Sequence, residues 1–229
     1  MTSKIQRLFV SLVYADHNRS GIVKDTLNEI LNRYDRNSFI LNIGSGDKRI
    51  RPNVKNLDIF EGEHVDLIGS AESIPLDDNS VDLVISQEAF EHIQNPELAL
   101  RECYRILRPG GRIYFQVPFI IGYHPGPTDF IRFTKEGVIE FLTRVGFEVE
   151  RIEITVAGAT GFYRIAVEFF AILFSGPVRL LYLPLKAFFA LILYPIKLLD
   201  AWFRLSPQRH RIPGGYFAVA HKPSSDTNL

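Results

Sequence analysis

Apolar residues along the chain follow two periods, and the two alternate. Short apolar runs that end at glycine, serine or acidic residues predict strands covered on both faces. Longer stretches with apolar residues three and four positions apart predict amphipathic helices. The predicted strands are residues 38–43, 56–60, 65–68, 81–86, 112–117, 147–156 and 216–220, and the predicted helices are residues 3–14, 21–34, 96–107 and 134–145.

The order of these elements predicts the fold class. Strands that alternate with helices form a parallel sheet with helices on both faces, so we expect a doubly wound, mostly parallel, seven-stranded α/β sheet. The last two strands have no ordinary helix between them, which predicts an antiparallel edge. The predicted organisation is N-terminal helices at 1–37, the α/β domain at 38–157 and 214–223, an apolar, cationic helical insertion at 158–213, and a disordered tail at 224–229.

Local signals place several element ends. Ser20 is a predicted N-cap for the helix at 21–34, because a serine hydroxyl can accept from an otherwise unpaired backbone N–H. Thr134 is the predicted N-cap and Gly146 the predicted stop of the helix at 134–145. Residues 109–111 (PGG) predict a turn before the fifth strand.

Composition narrows the class of protein. The 229 residues are 46% hydrophobic and 23% charged, which are ordinary values for a globular protein. The formal net charge is zero, which argues against a nucleic-acid partner. The single cysteine, Cys103, allows no internal disulfide, and the N-terminus lacks the apolar core and small-residue cleavage site of a signal peptide.

Five segments occur in order along the predicted domain. The first strand ends in IGSG at 43–46, the second ends at Asp58, and residues 70–78 read SAESIPLDD. The fourth strand runs into QEAFEH at 87–92, and LRPGG at 107–111 introduces the fifth. This ordered set, over residues 38–156 with a closing strand at 215–222, resembles the class I methyltransferases that use S-adenosylmethionine, in particular the type 11 family.

The resemblance implies a role for each matching residue. The glycine segment, Gly44, Ser45 and Gly46, would lie against the methionine part of the cofactor. Asp58 would hold the ribose, Ile59 would lie against the adenine, and Ala71 and Glu72 would bracket it. Gln87 would line the pocket near the sulfonium. No metal is needed, because methyl transfer requires an acceptor held in line with the methyl group.

Two positions depart from the family pattern. Asn42 stands two residues before the first glycine, where the family usually has an acid, and Lys48 stands at the third glycine-like position. Asn42 could still hydrogen-bond the cofactor, although an uncharged residue binds an ammonium group less strongly. Arg51-Pro52 would interrupt a helix after the glycine segment, so we predict a loop there.

The acceptor side is predicted to be the loop at 117–134, at the carboxyl end of the fifth strand. His124 is a candidate base near neutral pH, Asp129 could orient it or act alone, and His92 is a third candidate. Alternatively, His124 packs against prolines, Asp129 pairs with Arg132, and His92 shapes the pocket wall. Tyr123, Arg132 and Phe133 are candidate substrate contacts. The histidine spacing matches no metal motif, so we predict no metal. The loop resembles that of type 11 relatives associated with bacterial surface-polysaccharide synthesis.

The insertion carries seven basic and two acidic residues between 162 and 213. On one helix Arg179, Lys186, Lys197 and Arg204 would fall within about 20° of one line, with apolar residues elsewhere. Pro177, Pro184 and Pro195 predict a break into two or three helices. The longest charge-free stretches are about half of a spanning length, so we expect a helix in the membrane interface rather than a crossing. The alternatives are packing on the sheet, a homodimer interface, or a lid over a lipophilic acceptor.

Together these features predict a methyltransferase that O-methylates a lipid-linked or glycan acceptor, peripheral on the inner, cytoplasmic face of the cytoplasmic membrane. One alternative is a methyltransferase of quinones or other small lipophilic molecules. Another is a catalytically degenerate methyltransferase fold that serves as a binding subunit, for which Asn42 and the interrupted helix are the reasons.

Overall fold

The computed structural model describes residues 17–46 and 48–224. Seven strands form one sheet in the order β3-β2-β1-β4-β5-β7-β6. They are β1 (Ile40–Ile43), β2 (Val54–Asp58), β3 (Leu67–Ile68), β4 (Val81–Gln87), β5 (Leu107–Pro118), β6 (Glu148–Ile154) and β7 (Gly215–His221). The doubly wound, mostly parallel sheet predicted from the sequence is confirmed.

Six α-helices accompany the strands in the described residues. They are α1 (Gly21–Leu31), α2 (Pro96–Ile106), α3 (Lys135–Val145), α4 (Gly158–Ser175), α5 (Arg179–Ile192) and α6 (Asp200–Phe203), with 3-10 helices at His17–Arg19, Phe90–His92 and Tyr194–Leu199. The helix expected at 3–14 and residues 225–229 of the expected tail lie outside the described residues.

The centre of the sheet is its most buried part. All four residues of β1 are buried, and β1 pairs in parallel with β2 on one side and β4 on the other. The strand order therefore reverses direction beside β1. In open α/β sheets the crevice at such a switch point, outside the carboxyl ends of the strands, is where ligands bind.

The edge carrying β5, β7 and β6 differs from the rest. The amide of Gly110 donates to Lys222 O (2.8 Å) and that of Phe119 to Gly214 O (2.7 Å), so β7 runs antiparallel to β5. The antiparallel strand lies between β5 and β6, and β6 is the edge strand. The turn expected at residues 109–111 is instead a bulge inside β5, because the pairing with β4 shifts between Leu107 and Arg112.

The predicted helix caps are confirmed at α3 and wrong at α1. The Thr134 hydroxyl accepts from the Gly137 amide (3.0 Å), and Gly146 ends the helix at φ +112°. The Ser20 hydroxyl makes no hydrogen bond to the described residues. The Ser20 carbonyl accepts from the Lys24 amide instead (3.1 Å), as in any first helical turn.

The chain divides into two compact units. In the described part of the chain, the sheet unit comprises residues 25–46, 48–118, 124–153 and 216–224, and the helical unit comprises residues 17–24, 119–123 and 154–215. In the helical unit α4 packs on α5, where the Tyr163 hydroxyl donates to Ala190 O (2.9 Å) and the rings of Phe170 and Phe189 stack at 5.4 Å.

The insertion is divided into separate helices, as predicted, but not at Pro184. The chain breaks between α4 and α5 around Gly176 and Pro177, and Pro195 lies at the start of a 3-10 helix. Pro184 lies within α5, which continues through it. By length and composition alone α4 could cross a membrane, and α5 with the segment 194–203 could form a second, bent span. Half of the α4 window is buried inside the protein.

Three of the four cations on the predicted line make contacts within the helical unit. Lys186 forms an ion pair with Glu168, and Lys197 lies over the rings of Tyr163 (5.4 Å) and Tyr194 (4.9 Å). Arg204 donates to Thr155 O (3.1 Å). These three cations therefore contact an acid, aromatic rings and a carbonyl of the same unit, whereas Arg179, the fourth cation of the predicted line, is exposed. The orientation of the unit towards a membrane stays a prediction.

Candidate active site

A glycine loop follows β1 at the switch point. Gly44 and Gly46 have φ of +64° and +52°, which favours glycine. A Cβ on Gly44 would lie 2.4 Å from the Ala89 Cβ, whereas one on Gly46 would meet nothing within 4 Å. Gly44 is therefore fixed by close backbone approach, and Gly46 leaves open space in which a ligand can approach the main chain.

Asp58 joins this loop to the end of β2. Its Oδ2 accepts from the Gly46 amide (2.8 Å) and its Oδ1 accepts from the Phe60 amide (3.0 Å). The two bonds fix the carboxylate at the rim of the crevice. A carboxylate so placed can also accept from hydroxyl groups of a ligand, because each oxygen has a second lone pair.

The crevice contains a cavity of about 530 Å³ in the sheet unit. This volume is within the range of small-molecule sites, about 300–1,000 Å³. Six of the nine predicted cofactor residues line it: Gly44, Gly46, Asp58, Ile59, Ala71 and Glu72. The sequence did not single out Phe60, Glu88, Ala89, Ile93, Gln94 and the loop residues Gly126, Pro127, Thr128 and Phe130, which also line it.

Three predicted cofactor residues do not line the cavity. Asn42 is 4% exposed, and its amide donates to Asn56 Oδ1 (3.1 Å) in the neighbouring strand. The Ser45 hydroxyl donates to Gly46 O (2.8 Å), and Gln87 lies half-buried at the end of β4. Asn42 is therefore a β1–β2 packing residue, which explains why an uncharged amide suits this position.

The predicted loop between the glycines and β2 is confirmed for the described residues 48–53, which form no helix. Arg51 holds it to α1 by donating to Asn28 Oδ1 (2.9 Å) and Asn32 Oδ1 (3.0 Å). The Glu72 carboxylate is similarly engaged, since it accepts from the amide and side chain of Asn95 (3.0 and 3.1 Å).

A cluster of Glu91, His92 and His124 lies at the opposite side of the site. Glu91 is fully buried, and its Oε1 lies 3.7 Å from Nε2 of each histidine. The two imidazole rings meet edge-to-face at 5.2 Å. His92 also lines the cavity, so the cluster borders it. Two of the three predicted base candidates are thus brought together around an acid.

Glu91 was missed by the sequence reasoning. The sequence does show an acid directly before a histidine, just after the carboxyl end of β4. The spacing of this pair matches no known motif. Neither carboxylate oxygen accepts a hydrogen bond from the residues that the structure describes. Burial raises the pKa of Glu91 above its ordinary value, because desolvation disfavours the charged form.

Backbone and side-chain contacts orient both histidines. The Nδ1 of His92 lies 2.5 Å from Thr128 O. A carbonyl only accepts, so this nitrogen carries the proton and Nε2 offers its lone pair towards Glu91. The backbone amide of His124 donates to Asp129 Oδ2 (2.9 Å), and its Nδ1 lies 3.5 Å from the same oxygen.

Asp129 is held by Arg132 and contacts His124. It forms a two-bond pair with Arg132, whose guanidinium also lies 3.2 Å from His124 Nδ1. Burial raises the pKa of Asp129, but the bonds from Arg132 and the His124 amide outweigh it and lower the pKa to about 2. A carboxylate this acidic is a poor proton acceptor at neutral pH. The alternative in which Asp129 pairs with Arg132 is the one observed.

Phe133 and Tyr123, which were also predicted to contact the substrate, do not line the cavity. Phe133 is 6% exposed, and its ring packs 5.0 Å from Phe141 and 6.2 Å from Phe115. It is a core residue, because an apolar ring gains more by burial between aromatic neighbours than at a polar loop surface. Tyr123 belongs to the helical unit and is 74% exposed.

This strand order, with a glycine loop after β1 and an acid after β2 beside one cavity, defines a Rossmann-like methyltransferase fold. The family comparison agrees: residues 47–115 match the family described as a methyltransferase domain. The resemblance to methyltransferases stated from the sequence is thereby confirmed for this segment.

Curated relatives match over short segments. Malonyl-(acyl-carrier protein) O-methyltransferase of Methylococcus capsulatus is 49% identical over 49 residues, which are 21% of this chain and 18% of that protein. Sarcosine/dimethylglycine N-methyltransferase of Halorhodospira halochloris is 36% identical over 93 residues, 41% of this chain and 28% of that protein. The chain thus spans less than a third of either relative.

Solved structures share the fold over most of the chain. Haemonchus contortus phosphoethanolamine N-methyltransferase 2, in complex with S-adenosyl-L-methionine, has a TM-score of 0.54 at 15% identity and covers 97% of this chain and 58% of its own. The (4+2)-cyclase SpnF has a TM-score of 0.52 at 18% identity, covering 89% and 82%. The second neighbour carries a different activity, so the fold alone does not fix the reaction.

Proposed function

We propose that this chain is an S-adenosylmethionine-dependent methyltransferase that O-methylates a lipid-linked or glycan acceptor at the cytoplasmic surface of a membrane. The proposal rests on one observation: a possible cofactor cavity and a cluster of possible proton acceptors lie side by side. The cavity at the strand ends is of cofactor size, and the buried Glu91–histidine cluster borders the same cavity.

The residues of the cavity fit the cofactor. Gly46 leaves open space next to the main chain, and the Asp58 carboxylate is fixed beside it. Ile59 is 53% exposed and Phe60 is 60% exposed, so both offer apolar surface to a planar base. Bound there, S-adenosylmethionine supplies an electrophilic methyl group on a positively charged sulfur.

The cluster supports an oxygen acceptor. A neutral hydroxyl is a weak nucleophile and must lose its proton as it attacks, so it needs a nearby proton acceptor. The cluster of Glu91, His92 and His124 supplies such groups at the cavity. The acceptor oxygen gains a bond to the methyl carbon, the bond between that carbon and sulfur breaks with its electrons on sulfur, and the hydroxyl proton passes to the cluster.

The activity is tested by incubating the purified chain with S-adenosylmethionine and cell-envelope lipids and glycans. We expect a mass increase of about 14 daltons, one CH₂, in an acceptor that carries a hydroxyl. Glu91→Gln should reduce turnover more than it weakens cofactor binding, since a cluster that acts on the acceptor contributes mainly in the transition state. Methylation of nitrogen atoms alone would contradict transfer to oxygen. Equal losses of turnover and of cofactor binding in Glu91→Gln would also contradict it.

Membrane association is supported by the apolar surface of the helical unit. Leu180, Trp202 and Leu205 are 87%, 76% and 78% exposed, while Lys186 and Lys197 are paired inside the unit. Apolar residues outside and charges inside reverse the arrangement that water favours. The net positive charge of the insertion suits anionic headgroups, and an interfacial tryptophan is favoured at the bilayer boundary.

The free energy gained by burying these apolar side chains in a bilayer is large enough to support membrane binding. Burying one large apolar side chain contributes about 1.5–3 kcal/mol, so five that are about three-quarters exposed contribute on the order of 5–10 kcal/mol. Five such residues are exposed on this unit: Leu180, Leu183, Leu198, Trp202 and Leu205. Association costs offset part of this.

Flotation with vesicles tests the membrane proposal. Vesicles of mixed phosphatidylcholine and phosphatidylglycerol should carry the native chain upward in a density gradient. Serine at Leu180, Trp202 and Leu205 together should abolish flotation, while serine at Leu98, which is 46% exposed on α2, should not. Native protein that stays at the bottom as a concentration-dependent dimer would assign the surface to a second copy instead.

A non-catalytic binding subunit is the second candidate. Asn42 replaces the usual acid and points to Asn56 rather than to the cavity. Under this reading the cofactor binds and no methyl group is transferred. A methylation activity that disappears in Asp58→Ala would exclude it.

A further inference from the structure

We propose that Glu91, His92 and His124 form a three-ligand site for a divalent transition-metal ion, with Zn²⁺ the best match. The spacing of these residues along the chain gave no sign of a metal, since His92 and His124 are 32 positions apart in the sequence. The fold brings one carboxylate oxygen and two imidazole nitrogens within 4.8 Å of one another.

The distances fit a small ion. Glu91 Oε1 lies 3.7 Å from both His92 Nε2 and His124 Nε2. Two ligands that each lie about 2.1 Å from a tetrahedral ion are about 3.4 Å apart. The two Glu91–histidine distances exceed this value by about 0.3 Å, and the two imidazole nitrogens lie within 4.8 Å of each other. Movement of the histidine side chains towards one ion would complete three protein ligands, and an open fourth position is the arrangement of catalytic zinc sites.

The electrostatics of Glu91 call for a cation. Its side chain has no solvent exposure, and its two oxygens accept no hydrogen bond from the described part of the chain. An unpaired buried carboxylate costs several kcal/mol unless it is protonated or meets a positive charge. A divalent ion between Glu91 and the histidines supplies that charge.

The surroundings of His92 resemble the outer shell of metal sites, and Asp129 lies where it could play the same part for His124. Ligating histidines usually donate their other ring N–H to a carbonyl or carboxylate, which fixes the tautomer. Thr128 O lies 2.5 Å from His92 Nδ1, and Asp129 Oδ2 lies 3.5 Å from His124 Nδ1. A guanidinium nitrogen only donates, so Arg132, which lies 3.2 Å from His124 Nδ1, favours the form of His124 that carries its proton on Nε2. Coordination through Nε2 therefore requires Arg132 to shift, so that Nδ1 carries the proton and donates to Asp129.

The role of the ion rests on the proposed function. An acceptor hydroxyl bound at the fourth position would lose its proton to water more readily, because a bound Zn²⁺ lowers the pKa of a coordinated oxygen. The ion would then take the place of the metal-free cluster as the group that activates the hydroxyl. The presence of the ion does not depend on that function, because binding can be measured without cofactor or acceptor.

Metal titration of the whole chain tests the site. Protein stripped with a chelator and dialysed is titrated with Zn²⁺ by calorimetry and with Co²⁺ by visible absorption. We expect one ion per chain with micromolar or tighter affinity. Glu91→Gln and His92→Gln should each abolish saturable binding, and Asp129→Asn should weaken it about 10–100-fold, as outer-shell changes do.

His221→Gln is the matched control. His221 lies 3.3 Å from Glu148 and 3.1 Å from Glu150, so it is also a histidine between two acids. The His221→Gln variant should bind metal with the same affinity and stoichiometry as the native chain. Melting curves from circular dichroism show whether each variant is folded, and S-adenosylmethionine binding, measured in parallel, reports on the proposed function separately. No saturable binding below millimolar metal, or binding that persists in folded Glu91→Gln and His92→Gln, overturns the site.

Discussion

Gly44 provides the sharpest test of the cofactor loop, because its substitution has two separable costs. An alanine at φ +64° enters the left-handed region, which costs about 1–2 kcal/mol. Its Cβ would also lie 2.4 Å from the Ala89 Cβ, far inside the 3.5–4.0 Å or so of an ordinary carbon contact. Overpacking of this kind costs about 1–3 kcal/mol. Gly44→Ala should therefore destabilise the protein by about 2–5 kcal/mol.

Gly46→Ala is the matched comparison. Its φ is +52°, but its Cβ would meet nothing within 4 Å, so only the backbone cost of about 1–2 kcal/mol applies. The same methyl group would occupy the open space beside the main chain. We expect Gly46→Ala to keep most of the stability and to weaken S-adenosylmethionine binding.

A double substitution separates the two costs of Gly44→Ala. Adding Ala89→Gly removes the clash and should recover about 1–3 kcal/mol, less about 0.5–1 kcal/mol for the new glycine. Urea unfolding followed by far-UV circular dichroism is the assay, because the only tryptophan, Trp202, reports on the helical unit. If Gly44→Ala costs no more than Gly46→Ala, or if Ala89→Gly gives no rescue, the close approach of the loop to Ala89 is refuted.

Two further predictions concern the sheet unit. Burial raises the pKa of Asp66, but bonds from Arg49 and the Asn56 amide outweigh it and lower the pKa from 3.8 to about 2. A carboxyl group whose pKa is lower in the folded than in the unfolded protein stabilises the fold at pH values above its unfolded pKa. Asp66→Asn should therefore lower the free energy of unfolding by about 2 kcal/mol at pH 7, and the gap between variant and native protein should vanish as the pH falls from about 4 to 2. A gap in urea unfolding that does not change with pH would contradict this. Thr134→Ala removes the hydroxyl that accepts from Gly137 and should cost about 1 kcal/mol, with Thr134→Ser neutral in the same assay.

The fold was predictable because its signals are local. Apolar runs, glycines and caps each reflect the conformation of a few neighbouring residues, and the bulge at residues 109–111 was missed because it depends on pairing with β4. The site was predictable only in part. Glycines and Asp58 lie at strand ends that topology brings together, whereas the role of Asn42 depends on Asn56 across a strand pair.

Long-range contacts explain the other differences. Glu91 meets His124 only after the loop following β5 folds back, so no spacing in the sequence reveals the cluster. The contacts of the insertion's charges depend on pairing between helices, which a phase count on one helix does not include. Glu168 on α4 and Lys186 on α5 satisfy one another, which leaves the apolar face outside.

Calorimetric titration of the whole chain with S-adenosylmethionine tests the central claim most directly. We expect saturable binding of one cofactor per chain, lost in Asp58→Ala because the carboxylate that holds the loop and faces the cavity is removed. Glu140→Gln, a change of an exposed acid on α3, should bind like the native chain. No binding up to millimolar cofactor, or full binding by a folded Asp58→Ala protein, would contradict it.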